Sequence, residues 1–193
     1  MLYYVVCYTG PFGFIKPWTA VRDSETFSLQ FLTPSVIEGI RQKLEVATIL
    51  RHKLRYGFVS VQQEKTQSRN FEKKRNTMFR NESIISRGIL VEPELLLAFE
   101  NKEDALKASR QHICLCRNED ILLPDTDWVK MCKEQFNSCD GYELKQEDFD
   151  SLDGYELKFG KIDTSFLVGY NRFDNASPMY GYLEITGKPL VKF

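Results

Sequence analysis

After Met1 the chain reads Leu2-Tyr3-Tyr4-Val5-Val6-Cys7-Tyr8, and from residue 33 it reads Thr33-Pro34-Ser35-Val36-Ile37. The first stretch is β-branched and aromatic and is followed by Gly10-Pro11, which predicts an opening strand. In the second stretch a hydroxyl residue precedes a proline at the first helical position, and apolar residues follow at spacings of three and four. Together they predict a strand and then a helix that begins near residue 34.

Gly39 lies inside this predicted helix, where glycine costs about 1 kcal/mol relative to alanine. We expect a close backbone approach to a strand or a ligand, or close helix packing, to explain it. The connection over residues 9–33 is long for a compact domain, and such connections are often functional.

The rest of the first 120 residues continues the alternation of strands and helices. Aromatic and β-branched content predicts strands, and Asn101 is a candidate cap for the second helix. The predicted elements are a strand within Ile49–Gln62, a polar loop or protruding hairpin over residues 63–83, a strand within Ile84–Phe99 interrupted at Pro93, a helix over Lys102–Arg110 and a strand over His112–Cys116. This βαββαβ order predicts an α+β fold with a ferredoxin-like core, the arrangement of RNA-recognition modules.

We expect residues 1–120 to form this core, with the basic insertion at 63–83, and residues 121–193 to form a C-terminal β extension. The extension contains a short repeat, since Asp140–Lys145 recurs as Asp153–Lys158. Each copy predicts an Asp-Gly turn leading into a strand, and a local duplication in a surface segment explains the pair without a binding role. Two further strands are predicted at Phe166–Tyr170 and Tyr180–Ile185.

The net charge of −1 conceals two segments of opposite sign. Arg51 to Arg87 holds ten basic and three acidic side chains, a net charge of +7. Glu119 to Asp163 holds thirteen acidic and five basic side chains, a net charge of −8. Such a layout suits a protein that holds a polyanion on one side, and it also suits one that docks a basic neighbour on the other.

Composition indicates an ordinary soluble protein, with 42% apolar and 27% charged residues in a chain of 193. No apolar segment approaches the ~20 residues that cross a bilayer, and the amino terminus lacks a signal-peptide pattern. We therefore expect a cytoplasmic protein with no membrane partner. Its five cysteines should be reduced thiols, and Cys114 and Cys116 miss the usual zinc spacings, so no metal or other cofactor is predicted.

Candidate RNA contacts fall mainly on the long connection and the basic segment. Cations would meet phosphates, and bases of a single strand can stack on aromatic rings. The phosphate candidates are Arg69, Lys73, Lys74, Arg75 and Arg80; the stacking candidates are Phe14, Trp18, Phe71 and Phe79. The wider predicted set adds Lys16, Arg22, Arg51, His52, Lys53, Arg87 and Arg117. A solvated surface loop is the alternative explanation of the basic segment.

Metal-free RNA cleavage would need a base and an acid near neutral pH, for which histidine is suited. The chain has two histidines, His52 and His112. His52 lies in Arg51-His52-Lys53, close to the predicted phosphate contacts, and is the better candidate; a structural histidine or a phosphate contact is the alternative. We predict no catalytic residue, and name His52 only for the case that the protein cleaves RNA.

An ordered set of residues resembles the amino-terminal signature of a known RNA-binding family. The set is Gly10, Phe12, Phe14, Pro17, Val21, Ser28, Thr33-Pro34-Ser35 and Gly39-Ile40. The family is Cas five, the CRISPR-associated subunit that caps the 5′ handle of guide RNA in type I Cascade complexes. Leu115–Asp120 is similar to the run that ends the core in many members, with Cys116 in place of the usual glycine, and Leu167–Tyr182 is similar to the end of type I-C members.

The resemblance implies a subunit that grips the crRNA 5′ handle, contacts the Cascade backbone subunits and the large subunit, and meets target DNA only through the complex. Some type I-C members also cut precursor RNA with a tyrosine and a lysine-histidine pair. Leu29 stands where the tyrosine is expected, and the chain has no lysine-histidine dipeptide. The sequence therefore favours a binding subunit in antiviral defence over two alternatives, a metal-independent endoribonuclease and a protein that binds only other proteins.

Overall fold

The computed structural model describes residues 1–17, 25–117, 119–128, 130, 142–171 and 174–189, without the side chains of 66–70 and 80–83. The fold is mixed α+β, with few helices and mostly antiparallel strands. The helices whose bounds lie within the described residues are α1 Pro34–Leu44, α2 Lys102–Ala108 and α3 Gln146–Ser151. The strands are β1 Leu2–Thr9, β2 Phe12–Gly13, β3 Glu25–Phe27, β4 Arg51–Arg55, β5 Phe58–Lys74, β6 Thr77–Val91, β7 Glu94–Phe99, β8 Ile113–Cys114, β9 Ile121–Pro124, β10 Glu143–Lys145, β11 Gly154–Phe159, β12 Phe166–Asn171 and β13 Ser177–Thr186.

Nine of these strands form one large antiparallel sheet. Within the described residues its order is β12-β13-β11-β4-β7-β1-β9-β8, and β10 also pairs with β1. β4 and β11, which are far apart in the sequence, meet at the pair Leu54 and Tyr155. The C-terminal strands therefore continue the same sheet as the N-terminal ones.

The second sheet has four described strands and is built around β6. β5 pairs antiparallel with one edge of β6, and β2 and β3 pair with the other edge. The β3 pairing, from Glu25 opposite Ser86 to Phe27 opposite Gly88, is parallel. The long connection before α1 and the basic hairpin after β4 thus belong to one sheet.

Apolar side chains cover both faces of the large sheet. Val6 and Tyr8 of β1 point to the face on which α1 and α2 pack, and the Tyr8 hydroxyl donates to the backbone oxygen of Ala108 at 2.7 Å. Val5 and Cys7 point to the opposite face, where Phe149 of α3 covers them. Because β1 is buried on both sides, its sequence is apolar throughout rather than alternating.

The two larger helices agree with the sequence predictions. α1 starts at Pro34 after the N-cap Thr33, and its C-cap Glu45 is left-handed with φ of 56°. α2 is capped as predicted, because the Asn101 side chain accepts a hydrogen bond from the Asp104 backbone N–H at 2.8 Å. It ends at Ala108, two residues before the predicted end.

Three local predictions need correction. The strand predicted within Ile49–Gln62 is divided into β4 and β5, because Tyr56 and Gly57 turn aside to bond Pro189 and Val91. Gly39 approaches neither a strand nor another helix closely, since among the described residues no atom lies within 4 Å of where a Cβ would be.

The third correction concerns the end of the predicted core. The strand expected at His112–Cys116 is only the two-residue β8, and it lies at the sheet edge rather than beside β1. β9 and β10 take the place beside β1. A turn closed by Arg117 and Asp120 reverses the chain after β8 and so brings β9 inward.

Candidate nucleic-acid interface

The basic segment forms the predicted protruding hairpin. β5 and β6 pair from Phe58 opposite Val91 to Lys74 opposite Thr77, and Arg75 in the turn has a φ of 55°. Beyond the pairing with β3, the hairpin continues for about ten residues on each strand, or about 30 Å. Residues 71–79 are all exposed. The hairpin end is therefore a two-stranded ribbon that stands away from the body.

Three basic side chains lie at the end of this ribbon. Lys73, Lys74 and Arg75 are exposed, and within the described residues no acidic side chain pairs with them. Surface cations without internal partners keep their full charge for a polyanion. Among the predicted contacts that the structure describes, these three and Lys16 are the exposed cations that remain available to phosphate. The side chains of Arg69 and Arg80 lie outside the described residues.

The two phenylalanines of the ribbon lie on opposite faces. Phe71 is paired with Arg80, whereas Phe79 is paired with Glu72, one position further along. Paired residues of an antiparallel ladder point to the same face and consecutive residues to opposite faces. Phe71 is 51% exposed and Phe79 is 52% exposed. Each face of the ribbon thus presents one aromatic ring.

The arginines at the base of the hairpin form ion pairs with carboxylates of the same chain. Arg87 of β6 binds Glu64 of β5 at 2.5 Å. Arg117 binds Asp120 through two hydrogen bonds of 2.6 and 2.8 Å, and this pairing raises the pKa of its guanidinium. Both arginines line a cleft of about 280 Å³ together with three carboxylates. Phosphate at this cleft would have to displace those carboxylates.

Phe14 lies beneath these two arginines. Its ring centroid is 5.3 Å from the Arg87 guanidinium carbon and 5.4 Å from that of Arg117, and the residue is only 2% exposed. Such cation–π contacts hold the arginines against the long connection. A base could not stack on this buried ring, so the expected role of Phe14 as a stacking platform does not fit the structure.

Arg51 forms ion pairs with carboxylates of the same chain. Its guanidinium binds Glu156 of β11 at 2.7 and 2.6 Å and Asp150 at 2.5 Å, and it lies 4.9 Å from the Phe149 ring centroid. These pairings raise its pKa. The predicted phosphate contact at Arg51 is thus occupied by the protein's own carboxylates.

His52 and Lys53 are buried as well. Lys53 is 1% exposed and donates to the backbone oxygens of Asp150 and Leu152 at 2.9 and 2.6 Å, and burial lowers its pKa. His52 is 3% exposed; burial and then the charge of Arg51 lower its pKa to about 4. No hydrogen-bond partner meets its buried Nε2 among the described residues. In this position the imidazole cannot reach an RNA hydroxyl.

The remaining predicted contacts lie near the start of the long connection. Lys16 is exposed, and its backbone N–H donates to Sγ of Cys116 at 3.3 Å. That contact joins the connection to the turn of Arg117. Trp18 and Arg22 lie outside the described residues.

No known family and no curated protein matches this sequence. The fold, however, has a similar solved structure. It is similar to a chain of a CRISPR RNA-guided surveillance complex. The match covers 98% of this chain and 93% of that one, with a TM-score of 0.50 and 13% sequence identity. At this identity the likeness is one of fold.

Sequence reasoning missed the part of the interface made by β3. The Phe27 ring covers Gly88 of the hairpin, where any added Cβ would be 2.1 Å from Cδ1 of Phe27. Phe27 is also 50% exposed, so it adds an aromatic surface beside the base of the ribbon. A three-residue parallel strand within a long connection has no periodicity to reveal it. Gly88, directly before Ile89-Leu90-Val91 in the same strand, was the available signal.

Metal ligands, cysteines and membrane spans are the other features that could indicate a functional site. No cluster of three or more potential metal ligands occurs among the described residues. Cys116 is exposed at the surface, yet partial burial of its thiol raises its pKa. Among the described residues no helix is long and apolar enough to span a bilayer.

Proposed function

We propose that this chain is an RNA-binding subunit of a type I CRISPR surveillance complex, in which it holds the 5′ handle of the guide RNA and caps the backbone assembly. The observation that carries the proposal is the cationic end of the β5–β6 ribbon, where Lys73, Lys74 and Arg75 are exposed and unpaired within the described residues. The fold likeness to a surveillance-complex chain supports the same conclusion.

The body of this subunit would be a ferredoxin-like core of the Cas five type, nearest to type I-C. The neighbouring strands β4-β7-β1-β9, with α1 and α2 on one face, have the order expected of a βαββαβ unit. Residues 1–120 would be the core and 121–193 the extension, with β9 and β10 of the extension completing the sheet beside β1.

The RNA contacts would be divided between phosphate and base. Lys73, Lys74 and Arg75 would meet phosphates, joined by Arg69 and Arg80 further down the ribbon. Phe71 and Phe79 are the stacking candidates, and a single strand that follows one face of the ribbon would stack a base on the ring of that face. Lys16, Trp18 and Arg22 of the long connection would make further RNA contacts. Arg87 and Arg117 would keep their ion pairs within the protein.

The protein would work in the cytoplasm beside the backbone subunits and the large subunit, and would meet target DNA through guide-RNA pairing. The endoribonuclease alternative gains no support from His52, because that side chain is buried. A binding subunit needs no such group, since recognition of the handle rests on phosphate contacts and stacking.

The decisive experiment uses the full chain purified from cells that express a precursor crRNA. We expect a short RNA with one uniform 5′ end to co-purify, and we expect the isolated protein to retain a handle RNA in preference to a scrambled RNA of equal length. Affinity should fall steeply as salt rises. Equal, salt-insensitive binding of both RNAs, or no RNA at all, would refute the proposal. Discrete cleavage of precursor in EDTA would favour the endoribonuclease instead.

A further inference from the structure

A second surface, separate from the hairpin, lies between α1 and β8. It is a groove of about 320 Å³, and most of its lining is apolar: Val36, Ile40, Ile113 and Leu115. Gly39 of α1 forms part of its wall, and Lys43 is the one charged residue among those that line it.

Gly39 keeps this groove open. A Cβ added at this residue would meet no atom within 4 Å, so the helix does not need glycine for packing within the described chain. Glycine weakens a helix relative to alanine, and no contact with the described part of the chain offsets that weakness here. The empty space next to Gly39 is large enough to receive an apolar side chain from outside.

β8 has a backbone edge that no other described strand pairs with, and its residue Cys114 also lines the groove. β8 pairs with β9 through Ile113 and Cys114, and the N–H of Leu115 donates to the oxygen of Asp120 at 3.3 Å. Because hydrogen bonds alternate along an antiparallel strand, the N–H and C=O of Cys114 point away from β9. Among the described strands none occupies that edge, which ends the large sheet.

The apolar groove and the unpaired edge of β8 together suit an extended peptide. An extended chain that paired with Cys114 would direct alternate side chains to the face of Ile113 and Leu115, where the groove lies. Its backbone would supply both the acceptor and the donor that this edge requires, as in strand addition at other sheet edges. A nucleotide has no such paired backbone groups.

Charge then restricts the ligand further. Lys43 is exposed at the groove, and it has no ion pair within the described residues. An acidic residue next to the inserted apolar side chain would complement it.

We propose that this groove binds an extended, acidic segment of a partner protein, which adds a strand to β8 and inserts an apolar side chain next to Gly39. This docking site is independent of RNA binding at the hairpin.

The test uses a capped synthetic hexapeptide that alternates leucine with threonine between terminal glutamates, titrated into the full chain by fluorescence anisotropy. The comparison peptide carries lysines in place of the glutamates. We expect the acidic peptide to bind about fivefold more tightly, and Lys43→Glu to reverse the preference. Equal binding of the two peptides, or no binding at millimolar concentration, would overturn the proposal.

Gly39→Leu tests the groove itself. Leucine favours helix and has open space here, so the variant should melt at a higher temperature while binding the peptide about tenfold more weakly. Gln42→Leu, on the same helix but outside the groove, should bind like the unaltered protein. Unchanged affinity of Gly39→Leu would contradict insertion at this site.

A change in the ligand tests strand addition without altering the protein. Methylation of alternate peptide nitrogens removes the hydrogen-bond donors from one edge of the peptide. Two such peptides are possible, one for each edge, and the one methylated on the edge that faces β8 should bind about tenfold more weakly. If both methylated peptides bind like the parent, strand addition is excluded. RNA retention should be the same with and without saturating peptide; competition between them would place the peptide on the RNA surface instead.

Discussion

The guanidinium of Arg51 and the carboxylate of Glu156 form a bidentate ion pair that joins β4 to β11. Both side chains are largely withdrawn from water, at 13% and 3% exposure. Asp150 and the Phe149 ring also contact the Arg51 guanidinium. This pair links the N-terminal strands of the sheet to the C-terminal ones.

Removal of one partner from this pair should destabilise the protein strongly. Arg51→Met leaves Glu156 buried without its counter-charge, so we expect the free energy of unfolding to fall by about 3–5 kcal/mol in urea titrations. The double variant Arg51→Met with Glu156→Leu should recover most of that loss. RNA affinity under folding conditions should not change; a lower salt slope for Arg51→Met would instead indicate a phosphate contact.

The end of the ribbon should carry much of the RNA affinity. Alanine at Lys73, Lys74 and Arg75 together should reduce the slope of log affinity against log salt by about 2, the value expected for three single-strand phosphate contacts. The melting temperature should stay the same, because all three side chains are exposed.

A matched control for this variant replaces three exposed lysines elsewhere. Alanine at Lys102, Lys145 and Lys188 removes the same charge from other parts of the surface. This control should leave the salt slope nearly unchanged. Equal losses in both triple variants would show that net charge, rather than the ribbon, governs binding.

The opposite orientation of Phe71 and Phe79 predicts unequal effects in RNA binding. A single strand that follows one face of the ribbon can stack on one of the two rings, and stacking contributes about 1–3 kcal/mol per base. We expect one alanine variant to weaken binding of handle RNA by about tenfold and the other to change it little. Equal losses from both variants would mean that RNA contacts both faces.

His52 should make stability depend on pH. Its pKa of about 4 in the fold lies below the ordinary value of 6.5, so the unfolded chain binds the proton first as pH falls. The contribution is therefore complete above pH 6.5 and is lost as pH falls towards 4, with a total of about 3 kcal/mol.

The variant His52→Leu isolates this effect. It removes the titrating group and the buried Nε2 that lacks a partner among the described residues. The difference in unfolding free energy between the two proteins should thus change between pH 6.5 and 5, in favour of the variant at the lower pH. A difference that is constant over this range would show that His52 is not buried in its neutral form.

The parts of the candidate site that could be predicted were those that depend on neighbouring residues in the sequence. The dense lysines and arginines of residues 63–83, poor in apolar periodicity, indicated a projecting element, and the structure has a hairpin there. What each cation contacts could not be inferred in the same way. Lys53 and Lys73 look alike in the sequence, yet one is 1% exposed and the other is at the surface.

The sequence by itself determined the local elements: the apolar opening strand, the helix after Thr33-Pro34, the capped helix after Asn101 and the basic hairpin. These follow from propensity, spacing and capping among near neighbours. Tertiary structure alone decided which cations remain free, because Arg51 meets Glu156 across 105 residues. It also decided that Phe71 and Phe79 point apart, since the face of each ring depends on how β5 pairs with β6. Ion pairing and strand register depend on distances in space, which a linear pattern does not contain.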